Sequence, residues 1–166
     1  MNSRNISRLA LVEKSRLLGT GTYVEAGARL FGDVRTGEGV HIDSNAVLYG
    51  PVKIGSHSYV GPNCVIGFPT ASELAALAGP HRPAGKELTM IGERCTVRSG
   101  VAIYSGVTVG NAASFGHNVL ARENVTIGAG SKLGSPQQFD GARIVGAGSN
   151  RAISAGSVGA TGASDV

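Results

Sequence analysis

Branched aliphatic side chains return at every sixth residue along most of this chain. The series runs Val12, Leu18, Val24, Leu30, Thr36, Ile42, Leu48, Ile54, Val60 and Ile66. It breaks there and restarts as Ile91, Val97, Ile103, Val109, Phe115, Ala121, Ile127, Leu133, Phe139 and Val145. Of these 20 positions 16 are Leu, Ile or Val, whereas 37 such residues in a chain of 166 would place only about four there by chance. A period of six fits neither a lone helix nor a two-residue strand alternation. It is the signature of a repeat architecture.

Two further markers give the size of the repeating layer. Glycine follows the aliphatic position at Gly19, Gly37, Gly55, Gly92, Gly110, Gly128 and Gly146, so one layer holds 18 residues, or three hexads. A small or β-branched residue stands four places after the aliphatic one, as in Thr22, Ala28, Val34, Cys64, Cys95, Val101 and Ser131. These suit tight corners whose side chains point inward. Each hexad then reads as a short strand plus a corner, and three hexads close a triangular coil. Successive coils stack at about 4.8 Å with parallel hydrogen bonding. Glycine is expected at corners that need positive φ. Between six and seven coils are expected, each stable only in the stack.

Residues 72–90 interrupt the register without destroying it, so they form a loop leaving one corner of a continuous solenoid. Thr70 and Glu73 have the spacing of a capping box, which predicts a short helix with Leu74 and Leu77 on one side and Gly79-Pro80 as its stop. Loops of this length in a compact domain are usually functional. The chain therefore divides into a β-helix domain over 1–146, with its insertion at 72–90, and a tail over 147–166. In that tail Arg151 and Ser157 take the places of aliphatics, and Gly, Ala and Ser dominate, which reads as frayed.

Composition sharpens this picture. There are 26 glycines and no tryptophan, so the core must be filled by small and β-branched residues in register. The net charge is +4 and the isoelectric point about 9.4. The basic residues are dispersed, which suits a solvated surface or an anionic ligand such as a nucleotide or coenzyme A, and no nucleic-acid motif is present. Two cysteines make neither a disulfide framework nor a metal pair. Cys64 and Cys95 fall on the inward small position and read as core filler. There is no apolar run of signal-peptide or membrane-spanning length, so a cytoplasmic protein is expected.

The aliphatic, often-glycine, four-variable pattern over roughly residues 12–146 resembles the hexapeptide-repeat acyltransferases. The resemblance implies an all-β fold, a left-handed parallel β-helix, and a homotrimer with sites in grooves between subunits. Left-handedness comes from the resemblance alone, since crossovers are otherwise right-handed. The segment GERCTVRSGVAIYSGVTVGNAASFGHNVLARENVTIG, residues 92–128, resembles the branch that acylates amino sugars, often nucleotide-linked ones used in surface polysaccharides. In that branch a histidine in a G-H-N-V-like segment is the general base, which implies that role for His117. An imidazole has an ordinary pKa of about 6.5 and suits proton removal near neutrality. Acetyl-CoA, or another short acyl-CoA, would be the co-substrate. Asn118 and Glu123 are weaker candidates for binding the sugar. Related acyltransferases usually add further coils or a capping helix, and their last coils help hold the coenzyme; the tail here departs from that pattern.

Two other readings stand beside this one. The γ-class carbonic anhydrases share the fold and bind metal through H-x-x-x-x-H, but the position five after His117 is Arg122, a cation that cannot replace a neutral imidazole; no metal is expected. The chain could also be a trimeric scaffold without activity. His41, His57 and His81 read as surface histidines, and His117 itself could be one. Tyr104 has only its place in the matched segment.

Overall fold

The computed structural model describes residues 5–14, 17–76, 84–140 and 144–151. They form a parallel β-solenoid of three sheets with eight, seven and six strands. Every pairing between strands is parallel and joins one coil to the next, as between Asn5–Ile6 and Tyr23–Val24 or Lys132–Leu133 and Asn150–Arg151. The stack is thus up to eight layers deep, more than the six to seven expected. The added layers come from both ends. Ile6 continues the six-residue register below Val12, and Asn150–Arg151 still pairs although Arg151 has nothing aliphatic to bury.

The hexad positions form the core. Ile54 is in register with Ile91, Ile91 with Val109, Val109 with Ile127 and Ile127 with Val145, a single column inside the six-stranded sheet. The second inward position is equally dry, from Thr22 and Ala28 through Cys64, Cys95 and Val101 to Ser131. Burial pushes the Cys64 thiol up to about 11 and raises that of Cys95, so neither is a ready thiolate. Thr36, the one polar member of the aliphatic series, is also accounted for. Its hydroxyl accepts the Gly19 N–H at 2.9 Å and lies 2.9 Å from the Thr22 hydroxyl, so nothing polar is left unpaired there.

The glycine stripe has a different cause from the one expected. None of Gly19, Gly37, Gly55, Gly92, Gly110, Gly128 and Gly146 has positive φ. They mark instead the corner after the six-stranded sheet, where successive coils touch backbone to backbone. A Cβ at Gly55 or Gly110 would lie 2.5 Å from the backbone nitrogen of Glu93 or Ala129 in the next coil. Positive φ falls two residues further on, three after the aliphatic. Asn45, His57, Asn63, Arg94, Ala112, Asn118 and Asn124 occupy it, alternating with glycines such as Gly100 and Gly106. Asn, whose side chain tolerates the left-handed region, supplies four of those seven.

The insertion begins as expected. The helix Ala71–Ala75 starts at Thr70, whose hydroxyl accepts the Glu73 N–H while the Glu73 carboxylate accepts the Thr70 N–H at 2.7 Å. Its C-cap is Ala76. Leu77, the Gly79-Pro80 stop and His81 lie outside the described residues. Regular pairing with the solenoid resumes at Thr89, opposite Val52. Among the described residues no helix is long and apolar enough to cross a membrane.

Candidate active site

His117 sits at the corner between the eight- and seven-stranded sheets, just after the strand Ser114–Phe115. Phe115 anchors that strand in the core and is paired in register with Val97 below and Leu133 above. The imidazole is exposed, as its place two residues beyond an inward side chain implies. The same place in the other described coils holds Arg8, Ala26, Ser44, Pro62, Ser99 and Ser135. Beyond Arg8 of the first coil, a single ring therefore stands out among small residues. Its Nδ1 lies 2.6 Å from the Ser99 hydroxyl one coil below. The Asn118 N–H donates to the Ser99 carbonyl at 3.0 Å, which fixes the two corners on each other.

Asn118 has a local conformational reason to be asparagine. Its φ is 56°, and its side-chain oxygen rests over Gly100, where a Cβ would collide with it. It is exposed beside His117, so the conformational role and a contact to substrate are compatible.

Glu123 lies at the next corner, between the seven- and six-stranded sheets. Its Oε1 accepts from Arg122 Nη2 at 3.0 Å. Its Oε2 is buried and has no hydrogen-bond partner among the described residues. Arg122 in turn reaches Asp140 at 3.7 Å and lies over the Tyr104 ring at 5.7 Å. The guanidinium at the place of a second metal-binding histidine is thus tied into its own network. Among the described residues no three of His, Cys, Asp and Glu come close enough to hold a metal ion.

A cleft of about 570 Å³ opens at this second corner. Thr70, Ser72 and Glu73 of the helix start line it on one side, with Lys86 and Glu87 of the returning segment. Ser105, Glu123 and Asn124 of the solenoid close the other side. Glu73 holds the insertion in place. Its Oε1 accepts the Lys86 N–H at 2.5 Å and the Ser105 hydroxyl at 3.3 Å, in addition to the capping bond at Thr70. Burial pulls the Glu73 carboxyl upward, but these hydrogen bonds outweigh it and leave its pKa below the ordinary value. His117 is not among the residues lining this cleft. Within one chain the structure therefore brings Asn118 to His117 and Glu123 to the cleft, but does not bring the two groups together.

Two side-chain ladders were not expected. Phe31, Tyr49, Phe68 and Tyr104 stack along the corner that leads to the cleft, with ring centroids 5.7, 6.0 and 5.3 Å apart, and Arg122 extends the line. Each follows an aliphatic position directly, except that a bulge at Gly67 shifts Phe68 by one residue and hides the 18-residue spacing. On the eight-stranded sheet His41 lies between Tyr23 and Tyr59, at 5.8 and 5.5 Å, so it belongs to a stack and is not an isolated surface residue. Tyr59 donates to Asp43 at 2.6 Å. That bond, chiefly, raises the phenol to about 12 and depresses the carboxyl. His57 is an exposed corner residue at positive φ.

Residues 33–67 match the family model "Bacterial transferase hexapeptide (six repeats)". No curated protein matches. Among solved structures, the UDP-N-acetylglucosamine acyltransferase from Campylobacter jejuni superposes with a TM-score of 0.70 at 19% identity, over 88% of this chain. The chain spans 64% of that protein's length. A mutant of AntD, an N-acyltransferase from Bacillus cereus in complex with dTDP and coenzyme A, matches at 17% identity and a TM-score of 0.49, over 86% of this chain and 75% of that one. The first likeness establishes the common fold and the second carries no weight. The matched repeat covers residues 33–67, and the same six-residue register runs to both ends of the described solenoid, so this chain is a hexapeptide-repeat solenoid similar in fold to the Campylobacter jejuni acyltransferase.

Proposed function

We propose that this protein moves an acetyl or other short acyl group from acyl-CoA to an amine or hydroxyl of a sugar, one carried on a nucleotide, in the cytoplasm. The observation that carries the reading is His117, the one imidazole in a corner column whose other described members are Arg8 in the first coil and then Ala26, Ser44, Pro62, Ser99 and Ser135. The acceptor class follows from the resemblance of residues 92–128 to the amino-sugar branch, and the Campylobacter jejuni neighbour is named for such an acceptor, UDP-N-acetylglucosamine.

In this reading the acceptor attacks the thioester carbonyl and the imidazole takes its proton as the new bond forms. The tetrahedral centre collapses, the carbon–sulfur bond breaks, and the thiolate leaves with the proton returned by the imidazolium. The products are acylated sugar and free coenzyme A. A thiolate leaves readily, so no acyl-enzyme is needed, in keeping with the burial of Cys64 and Cys95. The unpartnered Oε2 of Glu123 is an acceptor waiting for a donor, which a sugar amine or hydroxyl would supply. Asn118 would contact substrate from the His117 side.

Assembly would join the two halves. His117 and Glu123 flank opposite edges of the seven-stranded sheet, on either side of the strand Leu120–Ala121. The outward row of that sheet is apolar over Val47, Val65, Ala102 and Leu120, with Arg29 and Gln138 beyond it. A closed homotrimer with this face toward the axis sets the His117 corner of each copy against the Glu123 corner of the next. Each groove would then hold one imidazole and one cleft.

A second reading, a β-helix scaffold without activity, draws on the separation of His117 from the cleft within a single chain. Light scattering and thiol release distinguish the two. A trimer that liberates coenzyme A from acetyl-CoA only when an amino-sugar nucleotide is added is the expected result. A trimer that binds no acyl-CoA supports the scaffold, and a monomer removes the groove between copies that the proposed site needs.

A further inference from the structure

We infer that Ser99 is a positioning residue that selects the tautomer of His117. The inference rests on the proposed role of His117 as a base, but its central observable does not depend on activity. A neutral imidazole can remove a proton only through a ring nitrogen that carries none, and the hydrogen bond made by the other nitrogen decides which one that is. Free histidine side chains in water favour the proton on Nε2, which would leave the outward nitrogen unable to act. Here Nδ1 lies 2.6 Å from the Ser99 hydroxyl.

The geometry is imposed by the solenoid. The strands Thr96–Val97 and Ser114–Phe115 pair in register, and the Asn118 N–H binds the Ser99 carbonyl, so the hydroxyl is held directly beneath the ring. A hydroxyl can accept from Nδ1–H while giving its own proton to solvent. That arrangement leaves Nε2 of the exposed ring unprotonated. Sequence separation conceals the pair: the two residues are 18 apart, one full coil.

The test reads the ring directly. Long-range 1H–15N spectra of the full-length protein, at about pH 8.5 where an ordinary histidine is neutral, report the tautomer. The His117→Gln spectrum assigns the signal. The native protein is expected to show the Nδ1–H form. Ser99→Ala is expected to move the ring toward the Nε2–H form, and Ser99→Thr to retain the native one. The alanine coil should fold, since Ala26 already occupies this corner position in another coil. With acyl-CoA turnover, Ser99→Ala should lower kcat about tenfold with KM unchanged, and Ser99→Thr should restore it. A native ring in the Nε2–H form, or one that ignores Ser99→Ala, overturns the inference even if His117 proves essential. A tautomer that follows Ser99 in a protein without turnover upholds the inference while removing the proposed function.

Discussion

Replacing His117 by alanine is expected to lower kcat for acyl transfer by about 10²–10⁴-fold, the usual contribution of a positioned general base. The oligomeric state and the unfolding transition should not move. The reason lies in the corner column, which already accepts alanine, serine and proline in other coils, so nothing structural depends on the ring. The imidazole is exposed and, among the described residues, hydrogen-bonds to Ser99. Loss of a surface side chain with one hydrogen bond costs the fold little. The loss should appear in kcat more than in KM, because the base acts as the acceptor's bond forms and not in ground-state binding. Release of coenzyme A thiol, followed beside a thermal melt, gives both quantities. Activity within threefold of native would place the chemistry elsewhere on the molecule.

Phe115→Ala should have the largest effect on stability. Phe115 is fully buried, the bulkiest such side chain among the described residues, and packs in a coil whose next hexad position is the small Ala121. Phenylalanine and alanine together fill that cross-section, so truncation leaves a cavity that rigid coils above and below cannot close. The expected cost is about 3–5 kcal/mol. That corresponds to a fall of roughly 10 °C in the midpoint for a domain of this size. Phe115→Leu, which places in the coil the residue that Leu133 already supplies one coil above, should cost only about 1 kcal/mol. Calorimetry at matched protein concentration checks both values. Equal effects from the two variants would mean that the interior at this coil is not tightly packed.

Most of the fold could be read from the sequence because a solenoid converts spacing directly into contact. Residues 18 apart are neighbours, so the register from Ile54 to Val145 followed from counting, and so did the inward position of Cys64 and Cys95. The glycine stripe was found for the wrong reason. Spacing shows that a small residue is required at Gly55 and Gly110, but not whether φ or the approach of the next coil requires it. The true positive-φ column escaped notice because Asn118, Arg94 and His57 share no chemical class, only a backbone state. The aromatic ladder was hidden by the one-residue bulge at Gly67. Glu73 was legible as a helix cap, whereas its bonds to Lys86 and Ser105 cross gaps of 13 and 32 residues that no local pattern records. The site was legible only in its parts. His117 and Glu123 are six residues apart in sequence, yet one hexad carries the chain to the next corner of the prism. Within one chain they stay apart, and only the proposed assembly would bring them together.

Mixed trimers test that point most directly. His117→Ala and Glu123→Gln should each be nearly inactive alone. Denatured together and refolded as a mixture, they should regain roughly a quarter of the native rate, the fraction of grooves that receive an intact His117 from one copy and an intact Glu123 from its neighbour in a closed ring. No recovery from trimers shown to be mixed, or full activity in Glu123→Gln alone, would contradict a site shared between copies.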